Sequence, residues 1–85
     1  MDFNEKLRAI IKEERLSQRE FAELTGISTS SLEKYLSGRQ EPKTSATIKI
    51  VNHVMFEKYT LWLMTGKTKP EYGQVCPACT QHKLV

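Results

Sequence analysis

The sequence predicts an all-α fold, a compact bundle of about five helices over residues 1–66 followed by a flexible C-terminal tail over residues 67–85. Apolar residues recur every three or four positions through most of the first 66 residues, as on helices that bury one side. Capping residues and glycines divide this stretch into segments of helical length. With 85 residues, 39% of them hydrophobic, the chain can build one small domain with a thin core.

The composition excludes several classes of protein. No apolar run approaches the length that spans a membrane, and the N-terminal stretch MDFNEKLR does not resemble a signal peptide. We therefore expect a cytoplasmic protein without a membrane partner. Because the sequence shows neither a catalytic grouping nor a glycine-rich phosphate loop, we expect no enzymatic activity and no small-molecule substrate. The net charge of +3 and the pI near 9.0 agree with a polyanionic partner without requiring one.

The first helix is predicted to begin after Asp2 and to continue to about Arg15. Asp2 and Glu5 have the spacing of a capping box, in which each side chain binds the backbone N–H of the other residue. An apolar stripe for packing comprises Phe3, Leu7, Ile10 and Ile11. Arg8 and Lys12 lie on the opposite side, where we expect them to be solvated.

Residues 16–38 predict two short helices joined by a tight turn. Ser17 and Glu20 form a second capping box at the start of the first helix. Gly26 can adopt the left-handed conformation that ends this helix, Ser28 can cap the next one, and Gly38 ends it. The residues predicted to face inward are Phe21, Ala22 and Leu24 on the first helix, and Leu32, Tyr35 and Leu36 on the second.

The outward side of the second helix is made of small hydroxyl groups and charged residues. Its outward residues are Thr29, Ser30, Glu33, Lys34 and Ser37, and residues 28–31 read Ser-Thr-Ser-Ser. A serine-rich first turn is in itself a good helix start. Short hydroxyl groups also fit the floor of a DNA groove, where they can bind base edges, and a helix N-terminus offers N–H groups to phosphates.

The spacing of nine residues resembles the helix-turn-helix of the Cro and phage-repressor family, the lambda repressor-like or XRE type of transcriptional regulator. These residues are Gln18, Phe21, Ala22, Gly26, Ile27, Ser28, Leu32, Tyr35 and Gly38. A looser similarity covers residues 4–66. The resemblance implies that residues 1–66 form a DNA-binding domain that inserts the helix of residues 28–37 into the major groove.

The resemblance also implies roles for individual residues. Those assigned to base edges are Thr29, Ser30 and Lys34, and those assigned to the DNA backbone are Gln18, Ser28, Arg39 and Lys43. The loop of residues 39–43 could equally be an ordinary polar connection. The resemblance further implies a phage or bacterial regulator that binds a two-fold site on double-stranded DNA as a homodimer, with repression favoured over activation. A protein-interaction module, such as an antitoxin or an adaptor, is the alternative function.

A fourth helix is predicted from Thr44, capped by Thr44 or Ser45, with a break near residues 56–58. One continuous or bent helix is the alternative, because the stretch MFEKYT contains no glycine or proline. The apolar content here is high for a monomer of this size. An interface with a second copy is therefore predicted at Phe56, Tyr59 and Trp62, although Trp62 could simply fill the core.

Residues 67–85 lose the helical period and predict a mobile tail that contains a C-x-x-C motif. We expect its cysteines to be reduced and its side chains to bind no cofactor. Two other uses stay open. Cys76, Cys79 and His82 could bind zinc, with His53 or a second chain completing the site, or the cysteine pair could have a redox role.

Overall fold

A computed structural model describes residues 1–78 of the chain. It contains five α-helices: α1 Phe3–Glu13, α2 Gln18–Thr25, α3 Thr29–Leu36, α4 Thr44–Val51 and α5 Thr60–Thr65. Short 3-10 helices form at Glu57–Tyr59 and Pro70–Tyr72. Within residues 1–78, the only β structure is an isolated antiparallel bridge between Lys69 and Gln74. The predicted all-α bundle is confirmed.

One apolar core connects the helices. The largest fully buried side chains are Leu7, Ile10, Phe21, Leu32, Ile50, Phe56, Tyr59 and Leu63, which come from every α-helix and from the connection between α4 and α5. The rings of Phe21 and Phe56 pack with their centroids 4.8 Å apart. Aromatic packing therefore joins α2 directly to the C-terminal half of the domain.

The first two helices begin at the residues that the sequence predicts. The Asp2 amide donates to the Glu5 carboxylate at 2.8 Å. At the start of α2, the Ser17 amide donates to Glu20 at 2.8 Å and the Glu20 amide donates to the Ser17 hydroxyl at 3.0 Å. The hydrogen bonds from Ser17 lower the pKa of Glu20, since they favour its charged form.

Gly26 makes the sharp turn between α2 and α3. Its backbone is left-handed, with φ of 75°, and the amides of Gly26 and Ile27 both donate to the Ala22 carbonyl, at 2.9 and 3.1 Å. Nothing lies within 4 Å of the position that a Cβ atom would occupy. Glycine is therefore needed here for its backbone conformation rather than for close packing.

Leu24 is a correction to the predicted packing of α2. Its side chain is 41% exposed, whereas Thr25 is 6% exposed and its hydroxyl donates to the Phe21 carbonyl at 2.8 Å. The buried arc of α2 runs through Phe21, Ala22 and Thr25, and Leu24 lies about 60°, or a sixth of a turn, outside it. The intrahelical hydrogen bond is what allows a threonine to be buried in place of a leucine.

The break between α4 and α5 occurs earlier than predicted. Lys43 is the N-terminal cap of α4, instead of Thr44 or Ser45, and the helix ends at Val51. The amides of Phe56 and Glu57 both donate to the His53 carbonyl, at 2.9 and 3.0 Å, and the Met55 amide donates to His53 Nδ1 at 3.1 Å. A histidine thus forms this turn without glycine or proline.

Residues 67–78 are folded onto the helical domain, so the prediction of a mobile tail is wrong for this segment. Lys69 and Gln74 pair through two backbone hydrogen bonds of 2.8 and 3.1 Å, and the Val75 amide donates to the Lys58 carbonyl at 2.9 Å. Val75 is only 4% exposed and belongs to the core. A hairpin-like turn has no helical period, which explains why periodicity did not reveal it.

One further prediction in the C-terminal half needs correction. Phe56 and Tyr59 are 1% and 0% exposed, so they fill the core and cannot contact a second copy. Trp62 is partly exposed and packs against the core, so its role at an interface stays a prediction. Cys76, the first cysteine of the C-x-x-C motif, is 9% exposed and therefore lies against the folded domain.

Candidate nucleic-acid interface

α3 presents a polar side to solvent and an apolar side to the core. Leu32, Tyr35 and Leu36 are at most 4% exposed, and they pack the helix against α1 and α2. The exposed residues are Thr29, Ser30, Glu33 and Lys34, with Ser37 exposed just beyond the helix. This division matches the predicted orientation, in which the small hydroxyl groups of the first turn face outward.

The first turn of α3 is closed by its own serine cap. The Ser31 amide donates to the Ser28 hydroxyl at 3.2 Å, and the Ser28 and Ser30 hydroxyls lie 3.4 Å apart. Because the Ser28 side chain is used as the cap, a ligand at this end would meet backbone N–H groups and the hydroxyls of Thr29 and Ser30. Such an end suits an anion or a set of base edges.

The far end of α3 is held by Arg8, a contact that the sequence does not predict. Arg8 is exposed to solvent, as expected, and its Nε also donates to the Leu36 carbonyl at 2.9 Å. The last carbonyls of a helix have no partner within the helix, and a cation near them also favours the helix dipole. The sequence carries no local signal for this contact, because Arg8 and Leu36 lie 28 residues apart.

A second basic side chain supports the turn before α3. Lys49 Nζ, on α4, donates to the Gly26 carbonyl at 3.4 Å. Lys49 and Arg8 therefore contact the two ends of the α3 region from two different helices. These contacts, together with the core packing, hold the exposed side of α3 in a fixed orientation.

Arg39, directly after α3, folds back along the helix. Its Nη2 lies 3.1 Å from Glu33 Oε1, and its Nε donates to the Ser37 hydroxyl at 3.1 Å. The backbone amides of Arg39 and Gln40 both donate to the Lys34 carbonyl, at 3.1 and 3.3 Å. The guanidinium predicted to bind DNA backbone is thus already engaged by two neighbours.

The remaining predicted backbone contacts are exposed at the starts of helices. Gln18 is the first residue of α2, and Lys43 caps α4. Both residues are exposed to solvent. Of the predicted zinc ligands, Cys79 and His82 lie outside the described residues, so that site stays a prediction.

The comparisons with known proteins agree with this geometry. The model of a family described as a helix-turn-helix domain matches residues 4–69 of the chain. Repressor protein C of Escherichia phage P2 is 43% identical over 75 residues, which cover 88% of this chain and 76% of that protein. The chain belongs to the phage-repressor type of helix-turn-helix regulators. The family match extends to Lys69, beyond the predicted end of the DNA-binding domain at residue 66.

The described helices of this regulator are short, and the longest, α1, has 11 residues. Within residues 1–78, no helix has both the length and the apolar composition needed to cross a bilayer.

Proposed function

We propose that the chain is a sequence-specific transcriptional repressor that inserts α3 into the major groove of an operator. The observation that carries the proposal is the exposed side of α3, where small hydroxyl groups and Lys34 are presented by a helix whose other side is buried and whose last carbonyl is bound by Arg8. A surface helix without a binding role does not need its exposed side held in one orientation. Similarity to a phage repressor supports the same function.

The proposed contacts divide into base readers and backbone contacts. Thr29 and Ser30 meet base edges or a thymine methyl group at the start of α3, and Lys34 binds the acceptor atoms of guanine one turn later. The proposed contacts to the DNA backbone are made by Gln18, Ser28, Arg39 and Lys43. Because the Ser28 hydroxyl caps α3, Ser28 would contact a phosphate through its backbone N–H. Backbone contacts position the domain, and the base readers select the sequence.

We further propose that the regulator binds as a homodimer to a two-fold operator, with half-sites about one helical turn apart. Exposed apolar side chains on α5 support this, because Met64 is 57% exposed and Trp62 and Leu61 are partly exposed beside it. Repression would follow in the cytoplasm from occlusion of RNA polymerase at the operator.

Selection of duplexes from a random pool by the full chain tests this proposal. We expect an enriched motif with two-fold symmetry, and we expect Thr29→Ala with Ser30→Ala to change the bases preferred within it. Ser45→Ala is a matched control, since Ser45 is an exposed hydroxyl residue in the first turn of α4. Binding without any enriched motif would contradict sequence-specific regulation and would favour an interaction module.

A further inference from the structure

A carboxylate lies on the side of α3 that is proposed to face DNA. Glu33 follows Thr29 by four residues and Ser30 by three, and it precedes Ser37 by four, so these residues share one stripe of the helix. The Glu33 side chain is 68% exposed. A carboxylate in this position opposes the phosphates of a duplex, unless a cation compensates for its charge.

Arg39 supplies that cation, and its orientation is set at two points. One guanidinium nitrogen, Nη2, contacts Glu33 Oε1 at 3.1 Å, and another, Nε, donates to the Ser37 hydroxyl at 3.1 Å. The Ser37 hydroxyl itself donates to the Lys34 carbonyl at 3.1 Å. The guanidinium is therefore held along the last turn of α3.

The pair between Glu33 and Arg39 has little to contribute to the stability of the fold. Both side chains are about two-thirds exposed, at 68% and 66%, and ion pairs of this kind add little to folding. The same pair does, however, affect how a polyanion can bind to Arg39. A phosphate that approaches Arg39 must displace the Glu33 carboxylate or share the guanidinium with it.

We propose that Glu33 limits the affinity of the regulator for double-stranded DNA by competing with a backbone phosphate for Arg39. Glu33 is thus a positioning residue that acts through Arg39, rather than a base reader. The inference rests on the proposed DNA-binding function. If Arg39 binds phosphate more weakly, a larger share of the total affinity for DNA comes from the proposed base contacts of Thr29, Ser30 and Lys34.

The test compares wild-type protein with Glu33→Gln, Arg39→Gln and the double variant, each at several salt concentrations. The probes are the duplex selected by the wild-type chain and an unrelated duplex. We expect Glu33→Gln to tighten binding to both duplexes about two- to fivefold, the range that an exposed ion pair can supply. The plot of log affinity against log salt should steepen by up to about one unit, because the freed guanidinium releases more counterions.

The double-mutant cycle separates competition for Arg39 from simple repulsion of DNA. If Glu33 acts through Arg39, Glu33→Gln should gain much less affinity when residue 39 is already Gln. Glu71→Gln is the matched control, since Glu71 is exposed on the 3-10 helix of Pro70–Tyr72 and its replacement changes the net charge equally. This control should leave both affinity and salt dependence nearly unchanged.

Three outcomes would overturn the inference while leaving DNA binding intact. They are an unchanged or weaker affinity of Glu33→Gln, an equal gain in the Arg39→Gln background, and an equal gain from Glu71→Gln. Thermal melting of each variant checks that the fold is preserved, and we expect no large change at these exposed positions. A wild-type chain that selects no duplex from the random pool would instead overturn the proposed function itself.

Discussion

The helix-turn-helix of residues 17–38 and the C-terminal half of residues 44–78 differ in how much their turns depend on side chains. The helix-turn-helix turns at Gly26 and Gly38, each left-handed, with φ of 75° and 78°. In the C-terminal half, Gly66 and Gly73 are also left-handed, but the turn after α4 uses the His53 imidazole and the final segment is held by Gln74. A glycine turn depends on backbone freedom, whereas a turn held by side chains depends on its partners.

Gln74 shows how far these partners lie along the chain. Its side-chain carbonyl accepts a hydrogen bond from the Leu61 amide at 2.9 Å, and its side-chain amide donates to the Glu57 carbonyl at 3.1 Å. These contacts span 13 and 17 residues. The final segment is therefore held by hydrogen bonds to distant residues, whereas the turn at Gly26 is closed by local hydrogen bonds to the Ala22 carbonyl. The two regions should respond differently to substitution.

The largest expected effect comes from the aromatic contact that joins the two regions. Phe21→Ala and Phe56→Ala should each lower the free energy of unfolding by about 3–5 kcal/mol, because both rings are fully buried. Chemical denaturation, followed by circular dichroism, measures the loss. Since the ring centroids are 4.8 Å apart, the double variant should lose less than the sum of the single losses. Strict additivity would show that the two regions do not share this packing.

The next largest expected effect comes from alanine substitutions at two matched glycines, one in each region. Gly26 and Gly73 both have φ of 75°, and at neither residue does any atom lie within 4 Å of where an added Cβ would sit. Alanine at either site meets only backbone strain, about 1–2 kcal/mol. We expect Gly26→Ala to lower the free energy of unfolding by this amount and to weaken DNA binding, since it alters the entry to α3.

Gly73→Ala is the control for that experiment. It should lower stability similarly, because the turn at Gly73 is closed by the Lys69 and Gln74 backbone hydrogen bonds. It should change DNA affinity little, since Gly73 lies outside α2 and α3. Full stability in Gly73→Ala would contradict the conclusion that residues 67–78 are an integral part of the fold.

The same contrast explains what could be predicted from sequence. The starts of α1, α2 and α3 follow from capping residues within three positions of each other, and the exposed side of α3 follows from the helical period. The contact of Arg8 with the Leu36 carbonyl and the docking of Val75 depend on residues far apart in the chain. No local pattern records such contacts, so sequence alone predicts a mobile tail where residues 67–78 are folded.

The smallest expected effect concerns the link between α1 and the C-terminal half. The Tyr59 hydroxyl donates to Glu14 Oε2 at 2.6 Å, and Lys58 Nζ lies 3.1 Å from the same oxygen. Burial, aided by the hydrogen bond to Glu14, raises the pKa of Tyr59 well above its usual value. The folded state therefore keeps Tyr59 neutral at a pH where the unfolded chain ionises it.

This shift makes the stabilisation from Tyr59 sensitive to alkaline pH. The contribution is fully present below the unfolded pKa of about 10, and it is lost as the pH rises beyond that value toward the folded pKa. We expect Tyr59→Phe to cost about 1 kcal/mol near neutral pH, through loss of the hydrogen bond to Glu14. Above pH 10 the difference between wild-type protein and the variant should shrink, because phenylalanine has no proton to lose. Denaturation curves at neutral and alkaline pH measure both quantities, and a constant difference across this range would contradict the link between Tyr59 and Glu14.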